Sequence, residues 1–188
     1  AILSLPLLLA ADWALDQADT VSRRRFRLLA SLLLACLTVI VASALFRMSV
    51  YASAYGLTEQ RLYVSAFMVW LAAVFGWFGV TVLRGRRERF TGGAVLGGLA
   101  CLLVLNAANP DAVIARVDLD RSGSAEPFDP LYVATLSADA LPVVLARRPA
   151  LPAADRCALA KGLRSAWNRR TERPVWNLSR AAAASAIA

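Results

Sequence analysis

Residues 28–46 run for 19 positions without a charge, a glycine or a proline. Residues 62–83 add a second uncharged stretch, of 22 positions. Residues 91–109 form a third, also uncharged but containing Gly92, Gly93, Gly97 and Gly98. An α-helix needs about 20 apolar residues to cross the hydrocarbon of a bilayer. Inside lipid the backbone must bond to itself, so each stretch is expected to be helical. The first holds eleven Leu, Ile, Val or Phe residues, contributing roughly −3 to −7 kcal/mol of insertion energy before small polar costs. The third holds seven, roughly −2 to −4 kcal/mol, and is expected to need neighbours. Its segment "GGAVLGG" sets Gly93 and Gly97 four apart, a spacing that lets another helix backbone approach closely.

The polar segments between these stretches set an expected orientation. "SRRRFR" (22–27) precedes the first run and "RGRRER" (84–89) joins the second to the third. The 47–61 link carries only Arg47, Arg61 and Glu59. Arginine-rich short loops stay on the cytoplasmic side. The first run is therefore expected to exit, the second to return and the third to exit, leaving 110–188 outside the cytoplasm. The opening "AILSLPLLLAADWAL" has no basic leading segment and reads as part of an earlier membrane helix, about 1–15, with a short interfacial helix as the alternative.

After residue 109 the pattern changes to short helices. Asn109-Pro110-Asp111 reads as a helix start, with Asn as cap, Pro at the first position and Asp at the positive end. Asp129-Pro130 repeats it before "LYVATL". Pro149 and Pro152 interrupt the chain, and Leu159, Leu163 and Trp167 stripe one face of a helix over 153–168. That helix would rest on anionic lipid or pack on the rest of the domain. Between the first two runs, Gly56 suits a tight reversal and Thr58 a cap for the next helix.

Composition agrees with a lipid setting. Hydrophobic residues make up 59% of 188, against roughly 45–50% in a soluble domain. The net charge of +8 rests on arginine, with Lys161 the only lysine. Because the arginines sit beside apolar runs, they mark topology rather than nucleic-acid binding. Three cysteines without a paired spacing, and no histidine, indicate neither a zinc site nor a disulfide framework.

"DLDRSGSAEPFD" (118–129) has the spacing of a calcium loop, with oxygen-bearing Asp118, Asp120, Ser122, Ser124, Glu126 and Asp129, and Gly123 at position six. Asp at position twelve, Ala125 at eight, Pro127 and Pro130 count against it, so a solvated link is expected and no metal ligand is assigned. Asp118 with Asp120, or Asp111 with Asp139, could pair as carboxylates, but nothing in the sequence fixes their geometry. No charged residue lies within the three runs, which argues against an ion path through them. No catalytic residue and no cofactor site is assigned.

"YGLTEQRLYVSAFMVWL", "NPDAVIARVDLDR", "LYVATLSADALP" and "WNLSRA" stand in an order that resembles a bacterial membrane family, domain of unknown function 4173, with the closely related 4153. The resemblance spans about residues 20 to 180. It implies a multi-pass inner-membrane protein with an extracytoplasmic C-terminal part, and no activity, cofactor or catalytic residue.

The expected architecture is all-α. A transmembrane region over 1–109 (helices about 1–15 in part, 28–46, 62–83 and 91–109) is followed by a small extracytoplasmic helical domain over 110–188. The expected role is a non-enzymatic envelope sensor or scaffold in the inner membrane, touching lipid and a ligand or protein partner. A transporter or channel subunit whose pathway lies in upstream helices is the first alternative, and a calcium-binding extracytoplasmic module the second.

Overall fold

A computed structural model describes residues 3–14, 20–122 and 128–171, and every regular element among them is helical. In chain order these are α1 (Ser4–Ala14), α2 (Thr20–Tyr55), α3 (Glu59–Thr81), α4 (Glu88–Ala108), α5 (Pro110–Asp120), α6 (Pro130–Thr135), α7 (Leu141–Arg147) and α8 (Ala153–Thr171). Two single 3-10 turns, Ala138–Ala140 and Arg148–Ala150, flank α7.

Helices α2, α3 and α4 are long and apolar enough to cross a membrane. Only 6% of the most apolar window of α4 is buried within the protein, and Val95, Leu96, Leu99, Leu102 and Leu103 are all exposed. A surface of that kind is stable against hydrocarbon and costly against water. At 36 residues, α2 outruns its apolar run at both ends. No Gly or Pro interrupts 20–55, and Arg is a good helix former, so the basic segment continues the helix instead of forming a loop. The helix ends only at Gly56, whose φ of +83° suits the residue without a side chain.

The chain forms two compact units, Ala1–Met48 with Val64–Val104, and Ser49–Tyr63 with Leu105–Ala188. In the first, Phe75, Phe78, Val82 and Phe90 are almost fully buried, and the rings of Phe78 and Phe90 meet edge to face at 5.2 Å. α3 ends in a Schellman motif. Gly85, at φ +76°, donates to Val82 O at 2.9 Å, and Arg86 N donates to Thr81 O at 2.8 Å. These bonds answer carbonyls that the helix end leaves open. The glycine-rich face of α4 receives side chains where a second backbone was expected. The Trp77 indole lies over Gly93, where even a methyl group would overlap it, and its Nε1 donates to Arg89 O at 3.4 Å. Two turns earlier, Trp70 lies beside Gly98 and donates to Ala94 O at 3.4 Å.

The second unit is built on Ile114, Ala115, Val133, Val144 and Leu159, each about 1% exposed or less. Asp129 caps α6 as the sequence suggests, accepting from Leu131 N at 2.9 Å and Tyr132 N at 3.1 Å, with Pro130 at the first turn. Asn109 does not cap α5. Its side chain makes no capping bond and its backbone is left-handed at φ 54°, so it serves as the break between α4 and α5. Asn tolerates that conformation better than other side chains. α8 packs on α6 through the buried Leu159. A Cβ on Gly162 would stand 2.7 Å from Ala134 Cβ, closer than two carbon atoms tolerate.

Gly162→Ala is therefore expected to lower the thermal unfolding temperature of the detergent-solubilised protein. Overpacking costs about 1–3 kcal/mol, against roughly 1 kcal/mol of helix propensity gained. Adding Ala134→Gly should recover part of the loss. A variant as stable as the parent would show that the two helices separate freely.

Candidate functional site

A reversal between two long helices leaves backbone groups without helical partners, the last carbonyls of α2 and the first amides of α3. In the second unit these groups meet side chains from α5 and α6. Asp118, 8% exposed, accepts from Leu57 N at 2.8 Å through Oδ1. The Tyr132 hydroxyl accepts from Glu59 N at 3.0 Å. Arg121 Nη1 donates to Ala52 O at 3.0 Å and also to Ser53 O, placing a cation at the negative end of α2. Within the reversal, Arg61 Nη1 donates to Gly56 O at 2.6 Å, and its guanidinium lies 6.0 Å from the centre of the Tyr55 ring. Thr58 caps α3 as expected, its Oγ1 accepting from Arg61 N at 3.4 Å.

Gly56 is required here twice over. Its φ is positive, and a Cβ would stand 3.0 Å from Asp118 Oδ1. The glycine lets the reversal come down onto the carboxylate. Beside this clasp is a cavity of about 330 Å³, lined by Tyr55, Asp118, Arg121, Phe128 and Tyr132 among others.

Burial pushes the Asp118 carboxyl above its ordinary value of 3.8, against the opposing pull of the Leu57 N–H and of Arg121 and Arg61; the nearby Asp129 adds to the rise. Burial likewise pushes the Tyr132 phenol up. The site thus joins a reluctant carboxylate, a phenol and guanidinium groups around a cavity. This is a set suited to holding a polar ligand or responding to protonation.

Asp120 and Asp129, the other described acidic residues of the 118–129 segment, have separate partners. Asp120 pairs with Arg147 of α7. Asp129 is engaged in capping α6, and Ser122 Oγ donates to Leu119 O at 2.8 Å. Ser124 and Glu126 lie outside the described residues, as does the "WNLSRA" motif. Among the described residues no group of three or more Cys, Asp or Glu side chains is placed to share a metal ion. Of the possible carboxylate pairs, Asp118 and Asp120 face different partners, whereas Asp111 accepts from Ser137 N at 2.8 Å, at the start of the turn that carries Asp139. Sequence reasoning found the reversal, its glycine and its cap. It did not find Arg121 or Tyr132, whose partners are 69 and 73 positions away.

A family model described as Domain of unknown function (DUF4153) matches residues 1–146. The chain belongs to that family. The match to DUF4153 takes in the whole clasp, Gly56, Leu57, Asp118, Arg121 and Tyr132 alike, and stops before α8. Comparison with curated proteins and with solved structures returned no match.

Because the folded Asp118 keeps its proton to higher pH than the unfolded chain, the charged form is the costlier one in the fold. Its effect on stability is therefore a loss as pH rises above 3.8 and through the folded pKa. Asp118→Asn keeps an oxygen for Leu57 N–H and removes that step, so its unfolding temperature should vary less than the parent's between acid and neutral pH. Asp118→Ala leaves the amide without its partner and should cost about 1–3 kcal/mol at any pH. Parallel pH profiles for parent and Asn variant would refute the assignment.

Proposed function

We propose that this DUF4153 protein is a non-enzymatic sensor or scaffold of the bacterial inner membrane. In this reading α2–α4 span the bilayer and the C-terminal helical unit stands outside the cytoplasm, where it contacts a ligand or an envelope protein. The clasp is the observation that carries it. Side chains of α5 and α6 hold the ends of α2 and α3 beside a cavity, so an occupant that drew on Asp118, Arg121 or Tyr132 would alter the bonds that fix those helix ends. A two-state element biased by a ligand is what a sensor needs. The arginine-rich 22–27 and 84–89 segments, against the sparsely charged 47–61 link, support the orientation. Trp77 already covers Gly93, so it is the exposed Gly97 that offers a small residue on α4 to a partner's membrane helix.

Cys157 is exposed on α8 and reports the side directly. With Cys36 and Cys101 replaced by Ser, a membrane-impermeant maleimide should label Cys157 in intact spheroplasts as fully as after lysis. Labelling only after lysis would reverse the orientation. A photo-crosslinking residue at Phe128, which lines the cavity, should give a discrete adduct in growing cells that Asp118→Ala and Arg121→Ala both weaken. An uncrosslinked protein in every growth condition would contradict the sensor reading.

A further inference from the structure

In the first unit a second cavity, of about 400 Å³, opens where the basic segments meet. Arg23 and Arg27 reach it from α2, and Arg86, Arg87 and Arg89 from the segment entering α4. Among the described lining residues Asp12 and Glu88 are the acidic ones, beside five arginines. α4 also begins here, adding the positive end of its dipole. The Schellman turn at Gly85 shapes the wall. A Cβ on that glycine would stand 4.0 Å from Arg27 Nη2, so the turn and the α2 guanidinium lie side by side.

The level of this cavity along the helices limits what it would hold. One residue after Arg27 the 19-position uncharged run begins, and one residue after Arg89 comes the buried Phe90. On another face of α2, Arg24 and Arg25 adjoin Leu28 and Leu29, both more than 60% exposed. Guanidinium groups therefore ring the helix where its apolar surface starts, the depth at which phospholipid headgroups sit. Guanidinium matches phosphate in two-point geometry, and basic pockets between membrane helices are suited to anionic headgroups. A soluble anion would meet the same charges but not the adjoining apolar surface.

We propose that this cavity binds the phosphate of an anionic membrane lipid and so fixes the basic ends of α2 and α4 at one leaflet. The proposal rests on the membrane placement of α2–α4, not on which leaflet they face or on the sensor reading.

The test is lipid retention by the full-length protein, read by native mass spectrometry after extraction from vesicles of phosphatidylcholine with phosphatidylglycerol or cardiolipin. The parent should keep anionic lipid in preference to phosphatidylcholine. Arg27→Gln with Arg86→Gln should reduce retention at least about tenfold, as expected from losing charge-assisted hydrogen bonds. Arg24→Gln with Arg25→Gln removes the same charge outside the cavity and should change it less than about twofold. Equal losses in the two pairs would overturn the site in favour of diffuse attraction. Retention of phosphatidylcholine equal to that of anionic lipid would overturn it too. Displacement of the lipid by millimolar inorganic phosphate would assign the cavity to a free anion instead. Labelling of Cys157 from the same side in all variants distinguishes a lost lipid from an inverted protein. Failure to enter vesicles at all would instead refute the membrane reading on which the proposal stands.

Discussion

Backbone amides and carbonyls that leave water must find partners, and this requirement shapes the reversals between the long helices. Along α2, α3 and α4 the helices meet it internally. At the reversals they cannot, and the two reversals are solved differently. After α3 the backbone closes on itself through Gly85. Between α2 and α3 the answer comes from far along the chain, with Asp118, Arg121 and Tyr132 supplying acceptors and a donor. The first solution is local and autonomous. The second makes the 49–63 reversal depend on helices far along the chain.

That dependence explains why a buried carboxylate sits at the reversal. A neutral acceptor would serve Leu57 N–H with less desolvation cost. Asp118 brings in addition a charge that two arginines feel, Arg61 in the reversal and Arg121 on its own side. The same carboxylate lines the adjoining cavity, where the proposed sensor role places its ligand.

The membrane helices were legible in the sequence because lipid imposes one simple rule, an unbroken apolar run of sufficient length. The ends were less so. Arg23–Arg27 reads as a loop by charge yet continues α2, since helix propensity and the lack of a breaker decide the matter. Asp129-Pro130 was readable because capping is local, whereas Asn109, also followed by a proline, instead takes a left-handed backbone between two abutting helices. The clasp was half visible. Gly56 and Thr58 announce a turn, but nothing within a few residues reveals that a carboxylate 61 positions on will receive the Leu57 amide. The oxygen-rich 118–129 segment shows the converse. Its spacing invites a single ion-centred reading, while Asp118 answers to the α2–α3 reversal, Asp120 to α7 and Asp129 to α6.

The seam between α6 and α8 carries a practical corollary. The region matched by the family ends at residue 146, yet α8 supplies Leu159 to the core that Val133 and Ala134 share. Trimming a clone to the family boundary would strip the lid from that core and leave α6 with a bare oily flank. Anyone dissecting this protein for crystallography or NMR should keep the cut beyond Thr171.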